Sequence, residues 1–175
     1  MVTRVIFILL IFSSSLFAEC TDYSQNENKK IKDIEINIYE SRKFFKKLSR
    51  VYLERLTIKS SKKINKKKYK AKIKINYIDK SYCSYDSTIR AHGDGHDHVD
   101  LINGVPMPSL RVKLKEGNIN QITRFILFRP KSRLFENEIF TTTLFSHLNF
   151  LSPRTFAIKV KINGVKADYI FQEGL

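Results

Sequence analysis

Three histidines and three aspartates lie within the nine residues 92–100. Imidazole nitrogens and carboxylate oxygens this close together are suitable ligands for zinc or another divalent cation. On an extended strand alternate residues point to the same face, which would bring Asp94, His96 and His98 together. Two glycines in the stretch favour a loop instead, so the segment is either a metal site or a structural or substrate-contacting loop. The candidate metal ligands are His92, Asp94, His96 and His98.

Cationic side chains in the C-terminal half are spaced to meet an anion. Arg111 and Lys113 are two residues apart in an alternating segment and therefore point to one face of a predicted strand. Arg129, Lys131 and Arg133 follow the next predicted strand. Guanidinium groups make forked hydrogen bonds to phosphate, and an ammonium group adds a compact charge. The set suits a phosphate ligand, and the alternative is a solvated surface on a protein that is basic throughout.

Two glutamates are further candidates. Glu138 begins a predicted helix, where a carboxylate either favours the positive end of the helix dipole or pairs with a lysine of a neighbouring strand. Glu173 ends an apolar segment, which is an unusual position for a carboxylate without a partner. The chain contains no glycine-rich Walker loop, nucleophile elbow, paired-cysteine finger or His-Glu-x-x-His motif. The familiar catalytic and metal-binding signatures are therefore excluded.

The elements that must position these residues belong to one small basic domain. The 175 residues carry a formal net charge of +15, and 42% of them are hydrophobic and 12% aromatic. This composition supports a buried core and excludes a disordered or collagen-like chain. Cys20 and Cys83 are too few for a miniprotein held together by disulfides or for a four-cysteine zinc site.

Residues 1–18 have the three parts of a secretory signal peptide: one positive charge at Arg4, a short apolar run and an end of small residues. The run is shorter than the roughly 20 residues of a membrane-spanning helix, and the alternative is an uncleaved N-terminal anchor. We therefore predict an exported protein that is periplasmic, extracellular or bound in the cell envelope. In an oxidising compartment Cys20 and Cys83 form either one bridge or two free thiols.

Alternating apolar residues predict strands, and apolar residues three and four apart predict helices. The predicted strands are 31–38, 69–77, 82–91, 110–114, 124–128, 156–162 and 168–171, and the predicted helices are 41–56 and 137–151. Asn163-Gly164 predicts a hairpin with a type I′ turn. Segment 59–74 holds nine lysines and no acid, and its second half predicts a strand with a lysine-rich outer face. We expect a flexible leader over 19–30 and one basic α+β domain over 31–175, with a mostly antiparallel sheet and two packing helices.

From about Thr88 onward the order of several short segments resembles the CotH (spore coat protein H) kinase-like family. In that family a strand ending in Arg-x-x-Gly-Asp/Asn leads to a strand of the form Arg-Ile-Lys-Leu, then to a helix, a strand pair around Asn-Gly and an acidic linker. The corresponding segments here are 89–98, 110–114, 125–133, 137–138, 151–155, 162–164 and 171–173. The resemblance covers about half of the chain and implies the N-lobe of an atypical protein-kinase-like fold.

The resemblance implies ATP with Mg²⁺ or Mn²⁺ as cofactors and phosphate transfer to protein hydroxyls. It assigns Lys113 to the phosphates with Arg111 beside it, Glu138 as the helix partner of Lys113, Arg129 and Lys131 to the phosphate mouth, and Glu173 to the crossing between lobes. The family's catalytic and metal-binding aspartates lie in a larger C-terminal lobe. Catalytic residues are therefore expected only downstream of Leu175, and the chain is predicted to be a truncated transferase fragment that is inactive alone.

Three functions follow as hypotheses. The first is an exported CotH-like kinase fragment that binds nucleotide and an acidic protein substrate. The second is a non-enzymatic basic envelope module that binds an anionic polymer or lipid through segment 59–74. The third is a metal-binding periplasmic protein built on His92, His96 and His98. A nucleic-acid partner is not expected because an exported protein seldom meets one, and no transmembrane helix is expected in the mature chain.

Overall fold

The computed structural model describes residues 29–57, 67–93 and 98–174. Their elements in chain order are β1 (Ile31–Ile38), α1 (Ser41–Thr57), β2 (Tyr69–Tyr77), β3 (Tyr82–Ala91), β4 (Val99–Ile102), β5 (Val105–Pro108), β6 (Leu110–Leu114), β7 (Arg124–Phe128), a 3-10 turn (Pro130–Arg133), α2 (Asn137–His147), β8 (Thr155–Ile162) and β9 (Val165–Glu173). The predicted signal peptide (1–18), most of the leader and the first half of the lysine-rich segment lie outside the described residues.

Seven of the strands form a closed barrel in the order β1-β2-β3-β6-β7-β9-β8, and β4 and β5 form a separate two-stranded sheet. The barrel closes by parallel pairing of β1 with β8, and its other neighbouring strands are antiparallel. The expectation of an α+β kinase N-lobe with two packing helices is therefore wrong. Apolar periodicity identifies strands but not their partners, and β1 and β8 are separated by more than half of the chain.

The core lies inside the barrel, because each long strand alternates buried and outward residues. Ile34 and Ile36 of β1 and Ile73 and Ile75 of β2 are completely buried, while the residues between them face outward. Removing such aliphatic side chains from water stabilises the fold by roughly 1.5–3 kcal/mol each. The outward side chains are not part of this core, so they can be charged without disrupting it.

Helix α1 and a loop close the two ends of the barrel. Phe44 and Leu48 of α1 are buried at the end where β2 begins, and the Phe44 ring meets Tyr69 edge-on with 5.2 Å between centroids. At the opposite end the loop between β6 and β7 buries Ile119 and Ile122. The ends are thus filled by side chains, and the barrel interior is a core.

The turn between β8 and β9 helps to close the barrel. Asn163 and Gly164 have φ angles of 45° and 94°, and Ile162 pairs directly with Val165, so the predicted hairpin turn is confirmed. The Asn163 side chain accepts a hydrogen bond from the backbone N–H of Ile38 at 3.1 Å and donates one to its carbonyl at 3.2 Å. This amide holds the end of β1 beside the end of β8.

Helix α2 is shorter than predicted and does not bury the apolar side that was expected to pack on the sheet. It ends at His147 rather than at residue 151. Phe140 is 69% exposed and Leu144 42% exposed. Apolar residues lie all around this helix, so their spacing does not select one face. In the described part of the chain, no helix combines the length and the apolar character needed to cross a bilayer.

Cys83 is completely buried on β3 and is disulfide-bonded. Cys20 is the only other cysteine in the sequence, and it lies outside the described residues. Of the two alternatives left open by the sequence, the structure therefore favours a bridge over free thiols. A disulfide is in keeping with the predicted oxidising compartment.

Candidate anion-binding surface

The outward side chains of β2, β3, β6 and β7 form one continuous surface, here called the cationic face. Its charged members are Lys70, Lys72, Lys74, Arg90, Arg111, Lys113 and Arg124, with Asp86 as the single carboxylate among the outward residues of these four strands. The strands are neighbours in the barrel. Residues that are up to 54 positions apart in sequence therefore share one surface.

Strand register arranges part of this surface as a straight row. Lys70 pairs with Thr88, Thr88 with Lys113, and Lys113 with Arg124. Neighbouring strands lie about 4.8 Å apart, so the row crosses four strands over about 15 Å. Three cations along such a line match the repeated charges of an extended polyanion.

Most of these cations are not neutralised by protein carboxylates. Asp86 lies 3.8 Å from Lys115, which directly follows β6. Lys74 stacks on the Tyr82 ring at 4.1 Å. Within the described residues Lys70, Lys113 and Arg124 are exposed and make no ion pair. Their charges are available to a ligand.

The remaining outer surface of the barrel, formed by β1, β8 and β9, has a different composition and is here called the balanced face. Its outward charged residues are Lys32, Asp33, Glu35, Lys159, Lys161, Lys166 and Asp168. Glu35 accepts a hydrogen bond from Lys161 at 3.1 Å, and this contact lowers the pKa of Glu35 below its usual value. Positive charge is therefore concentrated on one side of the barrel.

Arg111 and Lys113 share the outer face of β6, as their spacing indicates. Lys113 does not contact Glu138, because its cross-strand neighbours are Thr88 and Arg124. Glu138 instead accepts a hydrogen bond from Gln172. The structure thus does not bring together the lysine–glutamate pair implied by the kinase resemblance.

Arg129 is 6% exposed and does not lie at an open mouth. Its Nε donates to Asp100 at 2.8 Å, and Nη1 donates to the carbonyl of Asp168 at 2.7 Å. Its guanidinium also lies over the Tyr169 ring, 4.8 Å from the centroid. These contacts tie β4 to the barrel, so the structure gives Arg129 a structural role.

Lys131 lines a cleft of about 750 Å³ together with Arg129, Glu136, Lys159 and Asp168. The cleft contains charges of both signs above an apolar floor formed by residues such as Ile139 and Ile170. It is separate from Arg111 and Lys113, which do not line it. The six residues assigned to nucleotide by the resemblance are therefore distributed over several surfaces.

Glu173 has a partner that the sequence did not indicate. Arg154 Nε donates to it at 2.9 Å and Nη2 at 3.1 Å, which makes a forked ion pair. The hydrogen bond from Arg154 is the main reason why the pKa of Glu173 lies below its usual value. This pair joins the end of β9 to the segment before β8.

Of the candidate metal ligands, His92 and His98 lie together with 5.9 Å between ring centroids, whereas Asp94 and His96 lie outside the described residues. Among the described residues no group of three or more histidine, cysteine or acidic side chains could hold a metal ion. Burial, followed by the charges of Arg111, His98, Arg133 and Arg90, lowers the pKa of His92 to about 4. The imidazole of His92 is therefore neutral at physiological pH.

Sequence reasoning missed Arg90, Arg124 and the role of Lys70 in the row. The alternating lysines of β2 were recognised as an outer face, but the neighbours of that face were not. Strand register alone shows that Lys70, Lys113 and Arg124 form a line.

No protein-family model matches the chain, and no curated protein is significantly similar to it. These comparisons neither support nor contradict the resemblance to CotH-like kinases.

Proposed function

We propose that this protein is a non-enzymatic module that binds an anionic polymer through the cationic face. The observation that carries the proposal is the row from Lys70 through Lys113 to Arg124, which has no carboxylate partner within the described residues. A surface of one sign attracts polyanions over distances of about a Debye length and raises their rate of association. The predicted signal peptide makes an anionic polymer of the cell envelope the proposed ligand.

The test uses long-chain polyphosphate as a soluble probe and two matched double variants. Lys113→Gln/Arg124→Gln removes two charges from the cationic face, whereas Lys159→Gln/Lys166→Gln removes two from the balanced face. All four residues are exposed, so both variants should fold. Calorimetric titration should show about tenfold weaker binding for the first variant, since exposed ion pairs contribute up to about 1 kcal/mol each. The second variant should bind almost as the wild type does.

Salt dependence provides the second readout. Binding to polyphosphate should weaken steeply between 50 and 200 mM salt, on the order of 10-fold or more, because the contacts are between exposed charges. Equal losses in both double variants would mean that total charge matters and the cationic face does not. Binding that is insensitive to salt would also contradict the proposal.

The CotH-like kinase fragment, with ATP and Mg²⁺ or Mn²⁺ as ligands, stays a prediction. No contact in the described structure favours it, since Lys113 and Glu138 have different partners. Saturable, metal-dependent ATP binding that is lost on Lys113→Ala would support the kinase prediction over a general polyanion module.

A further inference from the structure

Two arginines of the cationic face are placed directly against each other. Arg90 of β3 and Arg111 of β6 are cross-strand partners. Side chains in this relation have Cβ atoms about 5 Å apart, and like charges there are destabilising. Within the described residues neither arginine has an ion-pair partner. The fold thus maintains a local excess of positive charge that packing does not require.

A third arginine approaches the same place from outside the barrel. The Arg133 guanidinium lies over the Phe128 ring, 3.9 Å from its centroid, and the His92 ring lies 5.3 Å from the same phenyl ring. His92 follows Arg90 by two residues and experiences the charges of Arg90, Arg111 and Arg133. Arg90 and Arg111 thus oppose each other on β3 and β6, while Arg133 and His92 both contact the Phe128 ring of the next strand, β7.

Arg133 has a hydrogen-bond donor that the described residues do not satisfy. Its Nε is buried and has no hydrogen-bond partner among them, which is ordinarily unfavourable for a buried polar group. The nearest carboxylate, Glu138, lies 3.8 Å from Nη1 and already accepts a hydrogen bond from Gln172. Arg133, like Arg90 and Arg111, therefore has guanidinium donors that the described residues leave unused.

We propose that Arg90, Arg111 and Arg133, here called the arginine cluster, form a site for a tetrahedral oxyanion, a phosphate or sulfate ester group carried by the anionic polymer. The site rests on the proposed function and specifies the chemistry of its ligand. Three arginines and Glu138 leave a net charge of about +2, which balances the −1.5 to −2 of a phosphate monoester at neutral pH. A phosphate or sulfate group offers three or more oxygens, so each of three guanidinium groups can bind it through a fork. A carboxylate has only two oxygens and cannot bind three arginines in this way.

The experiment adds inorganic phosphate, sulfate or acetate to the full chain at constant ionic strength. Side-chain NMR of the arginine Nε–H groups follows the cluster directly. Phosphate, sulfate or both should shift the Arg133 resonance saturably, and acetate should shift it much less. Tighter binding of phosphate would identify a phosphate ester as the ligand, and tighter binding of sulfate would identify a sulfate ester. Equal effects of all three anions, or no saturable shift, would overturn the site.

Arginine-to-lysine variants keep the positive charge but remove the forked hydrogen bonds, so they show which of the two is needed for binding. Arg111→Lys and Arg133→Lys should each weaken oxyanion binding about tenfold, since lysine cannot form the bidentate contact. Arg42→Lys, at an exposed arginine of α1 outside the cationic face, is the matched control and should bind as the wild type does. Thermal unfolding checks that each variant folds, and the exposed Arg111 carries the test if Arg133→Lys is unstable.

Failure of the site and failure of the proposed function are distinguishable. If Arg111→Lys binds polyphosphate and phosphate as the wild type does, the arginine cluster is not a site, while the polymer function stands. If phosphate binds at the cluster but polyphosphate does not respond to Lys113→Gln/Arg124→Gln, the site stands and the polymer function fails.

Discussion

The balanced face and the cationic face are both outer surfaces of the same barrel, but the first carries charges of both signs and the second carries almost only positive charges. On the balanced face three carboxylates lie among four lysines across neighbouring strands, and Asp33 and Asp168 both pair with Lys159. On the cationic face Arg90 opposes Arg111, and Lys113 opposes Arg124. Both faces cover the same apolar core, which does not depend on what the outward residues are.

The contrast separates residues that stabilise the barrel from residues that are available to a ligand. Cross-strand pairs of opposite charge stabilise a sheet by roughly 0.2–1 kcal/mol, and like charges directly opposite are unfavourable. Cross-strand pairs of opposite charge, such as Glu35 with Lys161, stabilise the balanced face in this way. The cationic face has one such pair among its own strands, Lys72 with Asp86. Elsewhere it places like charges opposite each other, as in Arg90 with Arg111, which is consistent with a surface whose partner is another molecule.

Charge reversal on the cationic face should have the largest effect. Lys70→Glu/Lys113→Glu/Arg124→Glu turns the row negative, and we expect polyphosphate affinity to fall by more than about 100-fold at low salt because attraction becomes repulsion. Affinity is measured by calorimetric titration. The control Lys159→Glu/Lys166→Glu places two negative charges on the balanced face and should reduce affinity only several-fold. A comparable loss in both variants would remove the distinction between the two faces.

Acid should destabilise the protein through His92 before it affects the carboxylates. The pKa of His92 is about 4 in the folded protein and about 6.5 when unfolded, so the unfolded state takes up the proton first and stability falls as the pH decreases from 6.5 to 4. Glu35 and Glu173, whose pKa values are lowered, add their own loss only below about pH 4.5.

The measurement is the thermal unfolding midpoint as a function of pH, compared between the wild type and His92→Gln. Between pH 6.5 and 4.5 the midpoint of the wild type should fall and that of the variant should fall less. Arg111→Gln should raise the pKa of His92, as seen by NMR titration, because one of the charges that oppose protonation is removed. An unchanged pKa in Arg111→Gln would show that the cationic face does not act on this imidazole.

The smallest expected effect is on stability, and it has opposite signs on the two faces. Arg111→Glu replaces a like-charge pair by an opposite-charge pair with Arg90 and should raise the free energy of unfolding by about 0.5 kcal/mol. Glu35→Gln removes the partner of Lys161 and should lower it by a similar amount. Chemical denaturation measures both. A destabilising Arg111→Glu would show that the arginines do not repel each other.

The alternation of apolar and polar residues identified the long strands. The sequence also contains a turn signal for the β4–β5 hairpin, but that hairpin was not predicted. Asn163-Gly164 correctly predicted one turn. Asn103-Gly104 has the same composition and the same positive φ angles, 50° and 75°, yet the strands beside it were not predicted. Two of the four residues of β5 are prolines, Pro106 and Pro108, and proline argues against a strand because it has no N–H to donate.

The sequence alone determined the seven strands of the barrel, which of their side chains point outward and that the outward side of β2 is rich in lysine, because these properties repeat every two residues along a single segment. Only the tertiary structure decided that β1 closes onto β8 and that Lys70, Lys113 and Arg124 share a row. Strands pair through backbone groups that are the same in every residue, so the choice of neighbour depends on how the whole core packs. The arginine cluster has the same origin: Arg90, Arg111 and Arg133 are distant in the chain and come together only because β3, β6 and β7 are neighbours in the barrel.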